Sequence, residues 1–182
     1  MNILVSACLL GFDVKYDGGN NGAILPEETF ERLKKIANII PVCAECMGGL
    51  SCPRSPCEIS GEKVIDSQGN DRTLQFKKGA QQVLKAAKMF GCSFALLKER
   101  SPSCGSGKIY DGSFSHKIID GNGITTDLLL KNGIKVFGET QIEELFESLR
   151  LAKAPLQLSF AFLNYLSRQA KSVKLSPLVL KL

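Results

Sequence analysis

Short apolar runs alternate with amphipathic stretches along the first 140 or so residues of the chain. The apolar runs predict four strands, at residues 3–7, 39–42, 93–97 and 134–137. Helical spacing of apolar residues predicts helices between and after them, at residues 26–38, 73–90 and 126–132 and from residue 140. Strands that alternate with helices indicate an α/β fold: a mostly parallel sheet of about four strands with helices on both faces.

Two segments lack this periodicity and are predicted to be long loops. Residues 43–61 contain four Cys, three Gly and two Pro, and residues 99–112 are rich in Gly and Ser. Between them, residues 64–66 followed by the turn 67–70 predict a small hairpin. Long loops in compact domains are usually functional, so these two segments are expected to carry the site.

The chain of 182 residues with 44% hydrophobic residues is large enough for one core, and its net charge of +5 lies in the tail. Five of the 23 basic residues and no acidic ones lie in residues 151–182, so residues 1–150 carry 18 of each sign. A neutral body disfavours nucleic-acid binding. We predict an α/β domain at 1–145 and a basic, helical extension at 146–182. Its amphipathic segment 155–170 is interpreted as a packed or frayed terminal helix, with docking of a partner and binding to a membrane surface as the alternatives.

Cysteine content and the lack of a long apolar run predict a cytoplasmic protein. No stretch approaches the roughly 20 apolar residues of a membrane span, and the apolar start has no basic segment typical of a secretion signal. Seven cysteines cannot all pair, and in a reducing compartment they are expected to be thiols or ligands. A single histidine, His116, argues against His-rich zinc catalysis.

Three cysteines follow three of the four predicted strands: Cys8, Cys43 and Cys104. Because parallel strands end at one edge of a sheet, we expect their loops to converge there. Three thiolates at one place could bind three irons of a 4Fe-4S cluster and leave the fourth iron open to substrate. The alternative is that cysteine fills the core as a small apolar residue, an interpretation that suits Cys92 best.

A second cysteine set lies within one loop and suggests a different function. Cys43, Cys46, Cys52 and Cys57 could bind a structural zinc ion in a zinc-stabilised binding or sulfur-handling protein. The second pair has C-x4-C spacing and follows the first by only five residues, which is cramped for a zinc ribbon.

Acidic and hydroxyl groups flank the candidate ligands. Glu45 lies two residues after Cys43, and Ser101 and Ser103 precede Cys104. These groups could activate water or hold a polar substrate, with a solvated carboxylate and turn capping around Pro102 as the alternatives. Arg54 and Arg100 in the same loops could hold an anion or a base edge, or be surface charges.

Three motifs in this order resemble the thiouracil desulfurase family: SACLLG with a following YDGG, then PVCAEC with GGL and PR, then LKERSPSCG. The resemblance covers roughly residues 1–140. It implies a 4Fe-4S cluster held by Cys8, Cys43 and Cys104, with Glu45 and Ser101 assisting as catalytic residues. Ser103 is the alternative hydroxyl.

The reaction implied by the resemblance is non-redox. The open iron acts as a Lewis acid on the thiocarbonyl of a small thiolated molecule and captures its sulfur, so that a thiouracil-like base becomes uracil and hydrogen sulfide. This chain departs from the family pattern in two ways. Ala44 stands where relatives commonly have Pro, and Cys46, Cys52 and Cys57 are additional thiols.

Overall fold

The computed structural model describes residues 1–153. Its elements, in chain order, are β1 (Asn2–Ser6), a one-turn 3-10 helix (Ala7–Leu10), α1 (Glu27–Ile36), β2 (Asn38–Val42), α2 (Ala44–Met47), β3 (Cys57–Ser60), β4 (Lys63–Asp66), α3 (Thr73–Met89), β5 (Cys92–Leu97), β6 (Lys108–Tyr110), β7 (Ile118–Asp120), α4 (Ile124–Lys131), β8 (Lys135–Gly138) and α5 (Ile142–Lys153). The amphipathic segment expected at 155–170 lies outside the described residues, so the helical extension and the domain division at residue 145 stay predictions.

The central sheet has four parallel strands in the order β2-β1-β5-β8. Residues 2–6 of β1 pair in register with residues 38–42 of β2, and residues 94–97 of β5 pair with residues 135–138 of β8. Helices connect these strands, as right-handed crossovers between parallel strands require. The predicted α/β architecture is therefore confirmed.

The core lies between the sheet and the apolar face of α3. Buried side chains recur along this helix at the three- and four-residue spacing that places them on one face. They share a cluster with residues from β1, β5 and the α4–β8 region: Leu4, Val83, Leu84, Ala87, Ala95, Leu97, Leu129 and Ile134. Burial of this face fixes the strands whose ends carry the candidate ligands.

Two glycines let the short helix α2 approach α3 closely. A Cβ atom at Gly48 would collide with the carbonyl oxygen of Gln75, and one at Gly79 would collide with the carbonyl oxygen of Ala44. Neither position tolerates a side chain without movement of the backbone. The contact sets the position of α2, which begins immediately after Cys43 and carries Glu45.

The two predicted long loops contain regular structure that the sequence analysis missed. Residues 43–61 include α2 and β3, so their prediction as an irregular loop was wrong. The predicted hairpin at 64–66 is β4, which closes on the residues after the turn 67–70 through one antiparallel bridge between Ile65 and Asp71. Its main partner is the upstream strand β3, reached through a turn at Gly61 with a φ of 59°. Residues 99–112 include β6, which pairs with β7 in a second hairpin. These strands are only three or four residues long, which is too short for a period-two pattern to stand out.

Within residues 1–153, no helix has both the length and the apolar character needed to cross a bilayer.

Candidate functional site

A cavity of about 510 Å³ lies at the carboxyl ends of the central strands. Its lining includes Cys8 in the turn after β1, Cys43 directly after β2, and Cys104 in the loop after β5. The sheet order places β1 between β2 and β5, so the three thiols come from adjacent strands. Such strand ends are where open α/β sheets commonly bind ligands.

The three thiols are half-buried and free, and they interact electrostatically. The pKa of Cys104 is raised, first by burial and then by the proximity of Cys8, Cys43 and Glu45. Burial also raises the pKa of Cys43 to about 12, with Cys46 and Glu45 adding to the effect. The pKa of Cys8 is raised by burial, against opposing effects of Asn21 and Lys98. Deprotonation of these thiols therefore calls for a strongly electropositive group in the cavity.

The spacing of these side chains does not suit a single metal ion. Among the described residues, no group of three His, Cys, Asp or Glu side chains is close enough to hold one ion. This applies to Cys8, Cys43 and Cys104, and equally to the loop set Cys43, Cys46, Cys52 and Cys57. A larger group that takes one thiolate at each of several separate metal atoms remains compatible with three thiols facing one cavity.

Glu45 lies in the cavity wall as part of a buried ion pair. Its Oε2 accepts a hydrogen bond of 2.7 Å from Nε of Arg54, and the side chains of Arg54 and Glu45 are only 7% and 16% exposed. Burial opposes the charge on Arg54, but Glu45 outweighs it and the pKa of the guanidinium is raised. Arg54 also donates to the carbonyl oxygens of Val14 and Ser51. The sequence predicted Arg54 to hold an anion or a base edge, or to be a surface charge. In the structure it is the buried partner of the Glu45 carboxylate.

Ser101 both faces Glu45 and shapes the loop before Cys104. Its hydroxyl donates to Oε1 of Glu45 at 3.5 Å and accepts hydrogen bonds of 3.1 Å from the amides of Ser103 and Cys104. Ser103 is fully buried, and its hydroxyl shares a hydrogen bond of 2.9 Å with Thr125 instead of lining the cavity. Of the two candidate hydroxyls, Ser101 is the one beside Glu45.

Basic side chains also line the cavity. Lys98, directly after β5, pairs with Glu139 and donates to the carbonyl oxygen of Glu99. Arg100 lines the same cavity, with a left-handed backbone φ of 60°. Arg54 and Lys98 are each paired with a carboxylate, Glu45 and Glu139 respectively, so their charges are largely balanced within the cavity wall.

The other cysteines are dispersed. Cys46 neighbours Cys43 within the C-x-x-C pair. The exposed Cys52 thiol donates to the carbonyl oxygens of Asp13 and Lys15, and Cys92 is buried in the core as expected. Cys57 lines the cavity from β3, where burial, Glu45 and Asp66 raise its pKa to about 11.

One wall of the cavity was not foreseen. Glu58 in β3 and the rings of Tyr110, Phe114 and His116 also line it. The last three belong to the β6–β7 hairpin, which the sequence signals only through the turn residues Asp111-Gly112-Ser113.

Comparison with known proteins decides the family. Residues 3–141 match the family model described as 2-thiouracil desulfurase. The chain belongs to this family. The chain is 38% identical over 153 residues to the uncharacterised protein YbbK of Bacillus subtilis (strain 168), an alignment that covers 79% of this chain and 99% of YbbK.

A solved structure extends the comparison to the fold. This family member is similar, with 45% identity and a TM-score of 0.78, to the 4Fe-4S-dependent thiouracil desulfidase TudS. The match covers 82% of this chain and 98% of that chain. The resemblance found in the sequence motifs is thereby confirmed, as is the class of enzyme, one that cleaves carbon–sulfur bonds.

Proposed function

We propose that this protein desulfurates a small thiouracil-like compound with a 4Fe-4S cluster held by Cys8, Cys43 and Cys104. The observation that carries the proposal is that these three thiols, from the ends of three adjacent parallel strands, line one cavity with Glu45 and Ser101. Likeness to a 4Fe-4S-dependent thiouracil desulfidase supports the choice of cofactor and substrate.

The donor set fits such a cluster. Thiolates are its usual protein ligands, and three of them leave one iron without a protein ligand. Among the described residues these thiols form no site for a single ion, yet they line one cavity together, which suits ligands distributed around a larger group. When bound, the cluster supplies an open Lewis-acidic iron for the sulfur of the substrate.

The side chains beside the thiols handle the proton. Arg54 donates to Oε2 of Glu45, whereas Oε1 accepts only a long hydrogen bond of 3.5 Å from the Ser101 hydroxyl. We assign Oε1 as the atom that accepts a proton from the attacking water while the water oxygen bonds to the thiocarbonyl carbon. The carbon–sulfur bond then breaks, Oε1 gives up the proton it accepted, and this proton and the second proton of the water leave with the sulfur as hydrogen sulfide. Ser101 hydrogen-bonds Oε1 and orients it.

Anaerobic reconstitution with iron and sulfide tests the proposal. We expect about four irons per chain, a visible absorption band, and stoichiometric formation of uracil and hydrogen sulfide from 2-thiouracil. Iron uptake without sulfide release would contradict the assigned reaction, and failure to take up iron would contradict the assigned cofactor.

A further inference from the structure

A hairpin loop places three aromatic rings around the cavity. We call residues 110–117, which run from the end of β6 toward β7, the aromatic loop. Its rings belong to Tyr110, Phe114 and His116, and all three line the cavity that contains the candidate ligands. Tyr110 and His116 meet edge to face, with ring centroids 6.2 Å apart and an angle of 79° between the planes. Phe114 remains 36% exposed, so its ring is accessible to a molecule from solvent.

The aromatic loop is held by a buried carboxylate. Oε2 of Glu58 accepts hydrogen bonds of 3.0 Å from the backbone amides of both Gly112 and Phe114, and Glu58 is only 7% exposed. The amide of Asp111 also donates to the carbonyl oxygen of Lys117 across the loop. The position of the Phe114 ring is therefore set by β3, a strand outside the hairpin that carries it.

Two residues of the aromatic loop have unfavourable backbone conformations. Phe114 and His116 have φ angles of 58° and 62°, in the left-handed region that side chains other than glycine seldom adopt. Such conformations persist where surrounding contacts enforce them, and they are concentrated at binding sites. Neither ring is needed to fill the core, since Phe114 and His116 are both exposed.

We infer that the aromatic loop determines specificity for planar heterocyclic thiocarbonyl compounds, with Phe114 stacking on the ring of the base. The inference rests on the proposed function and deepens it by naming the side chain that contacts the substrate ring, since a small aliphatic thioamide has no ring for Phe114 to contact. Aromatic side chains bind bases through their π-faces, and this contact needs no particular hydrogen-bond pattern. Glu58 is a positioning residue that acts through the two amides.

Substitutions of Phe114 test the inference in the reconstituted enzyme. Phe114→Leu keeps apolar bulk but removes the ring, and we expect the KM for 2-thiouracil to rise between about 5-fold and about 150-fold, the range for loss of one base–aromatic stack. The kcat should stay within about twofold of wild type, because the proton-handling groups are unchanged. Phe114→Tyr keeps the ring and should restore the wild-type KM.

Two further variants separate recognition from general damage. Phe90→Leu removes another partly exposed ring, at the end of α3 and outside the cavity lining, and should leave KM unchanged. Glu58→Ala should raise KM as Phe114→Leu does, and Glu58→Gln, which keeps an oxygen acceptor, should largely restore it. Iron per chain and the visible spectrum should match wild type in every variant.

The outcomes distinguish the inference from the proposed function. Equal KM values for Phe114→Leu and Phe114→Tyr, with sulfide released by wild type, would overturn the role of the aromatic loop and leave desulfuration standing. If wild type releases no sulfide, equilibrium dialysis with 2-thiouracil decides: binding lost in Phe114→Leu and kept in Phe114→Tyr supports the loop although the reaction is wrong. Binding equal in all variants, or absent from wild type, overturns it.

Discussion

The two sides of the cavity are positioned by different kinds of interaction. Cys8, Cys43 and Cys104 follow strands that are hydrogen-bonded to one another and packed on a common core. The sheet therefore fixes the points at which the cysteine-bearing segments begin. The aromatic loop instead joins a separate two-stranded hairpin and is held mainly by one carboxylate, Glu58. The proposed cluster ligands therefore depend on the global fold, whereas the aromatic loop depends on a few hydrogen bonds, chiefly to Glu58, and can change without altering the sheet.

The largest effect is expected from the cysteine side. Cys104→Ser should abolish cluster loading and sulfide release, because one of the three proposed ligands is lost. Iron per chain and the visible spectrum measure this directly. Cys52→Ser is the matched control, since its exposed thiol only donates to two backbone carbonyls. Equal iron loss in both variants would show that the ligand assignment is wrong.

Removal of the proton-handling groups should leave the cluster and slow the reaction. Glu45→Gln is expected to lower kcat by about 10²- to 10⁴-fold, the usual contribution of a positioned general base, with iron content unchanged. Ser101→Ala should lower kcat to a smaller extent. Ser103→Ala serves as the comparison: it breaks the buried bond to Thr125 and should cost about 1 kcal/mol of unfolding free energy with kcat retained. A larger kcat loss in Ser103→Ala than in Ser101→Ala would reverse the choice of hydroxyl.

The contact between α2 and α3 can be broken without touching any candidate ligand. Gly79→Ala places a methyl group against the carbonyl oxygen of Ala44 and should destabilise the fold by about 1–3 kcal/mol, as overpacking generally does. We also expect weaker iron retention, since α2 directly follows Cys43 and must shift. Urea unfolding and iron analysis measure the two effects. Lys78→Ala, on the exposed side of α3, should change neither, and a Gly79→Ala protein as stable as wild type would contradict the packing argument.

The smallest effect concerns the support of β3, the strand that carries Glu58. Its partner strand β4 ends at Asp66, where burial opposes the charge but hydrogen bonds from Asn70 and Arg72 outweigh it and lower the pKa to about 2. Because the folded pKa is depressed, the stability from this carboxylate is complete above its unfolded value of about 4 and is lost as the pH falls toward 2.

Urea unfolding at a series of pH values tests this linkage. The stability difference between wild type and Asp66→Asn should be largest above about pH 4 and shrink as the pH falls toward 2. Asp120→Asn removes an exposed carboxylate paired with Lys108 and should change stability little at any pH. A difference between wild type and Asp66→Asn that did not vary with pH would contradict the depressed pKa.

Sequence reasoning found the parts of the molecule that regular patterns describe. The four strands of the sheet follow from apolar runs, and the gathering of Cys8, Cys43 and Cys104 at one cavity follows from parallel topology. The β3–β4 and β6–β7 pairings were not predicted, because strands of three or four residues carry little periodicity. The pairing of Arg54 with Glu45 and the hydrogen bonds between Glu58 and the aromatic loop join residues that lie in different segments of the chain. Such contacts cannot be predicted from a local sequence pattern.

The distribution of the three thiols along the chain has a consequence for biogenesis. Cys8 follows β1, whereas Cys104 follows β5 and is synthesised only after the β3–β4 hairpin and α3. No short peptide of this chain contains all three proposed ligands, so the proposed cluster could be inserted only after the sheet has formed. Binding of the proposed cluster would then stabilise only the folded chain. Under iron limitation we expect a folded protein with a smaller free energy of unfolding, which cellular proteases can remove.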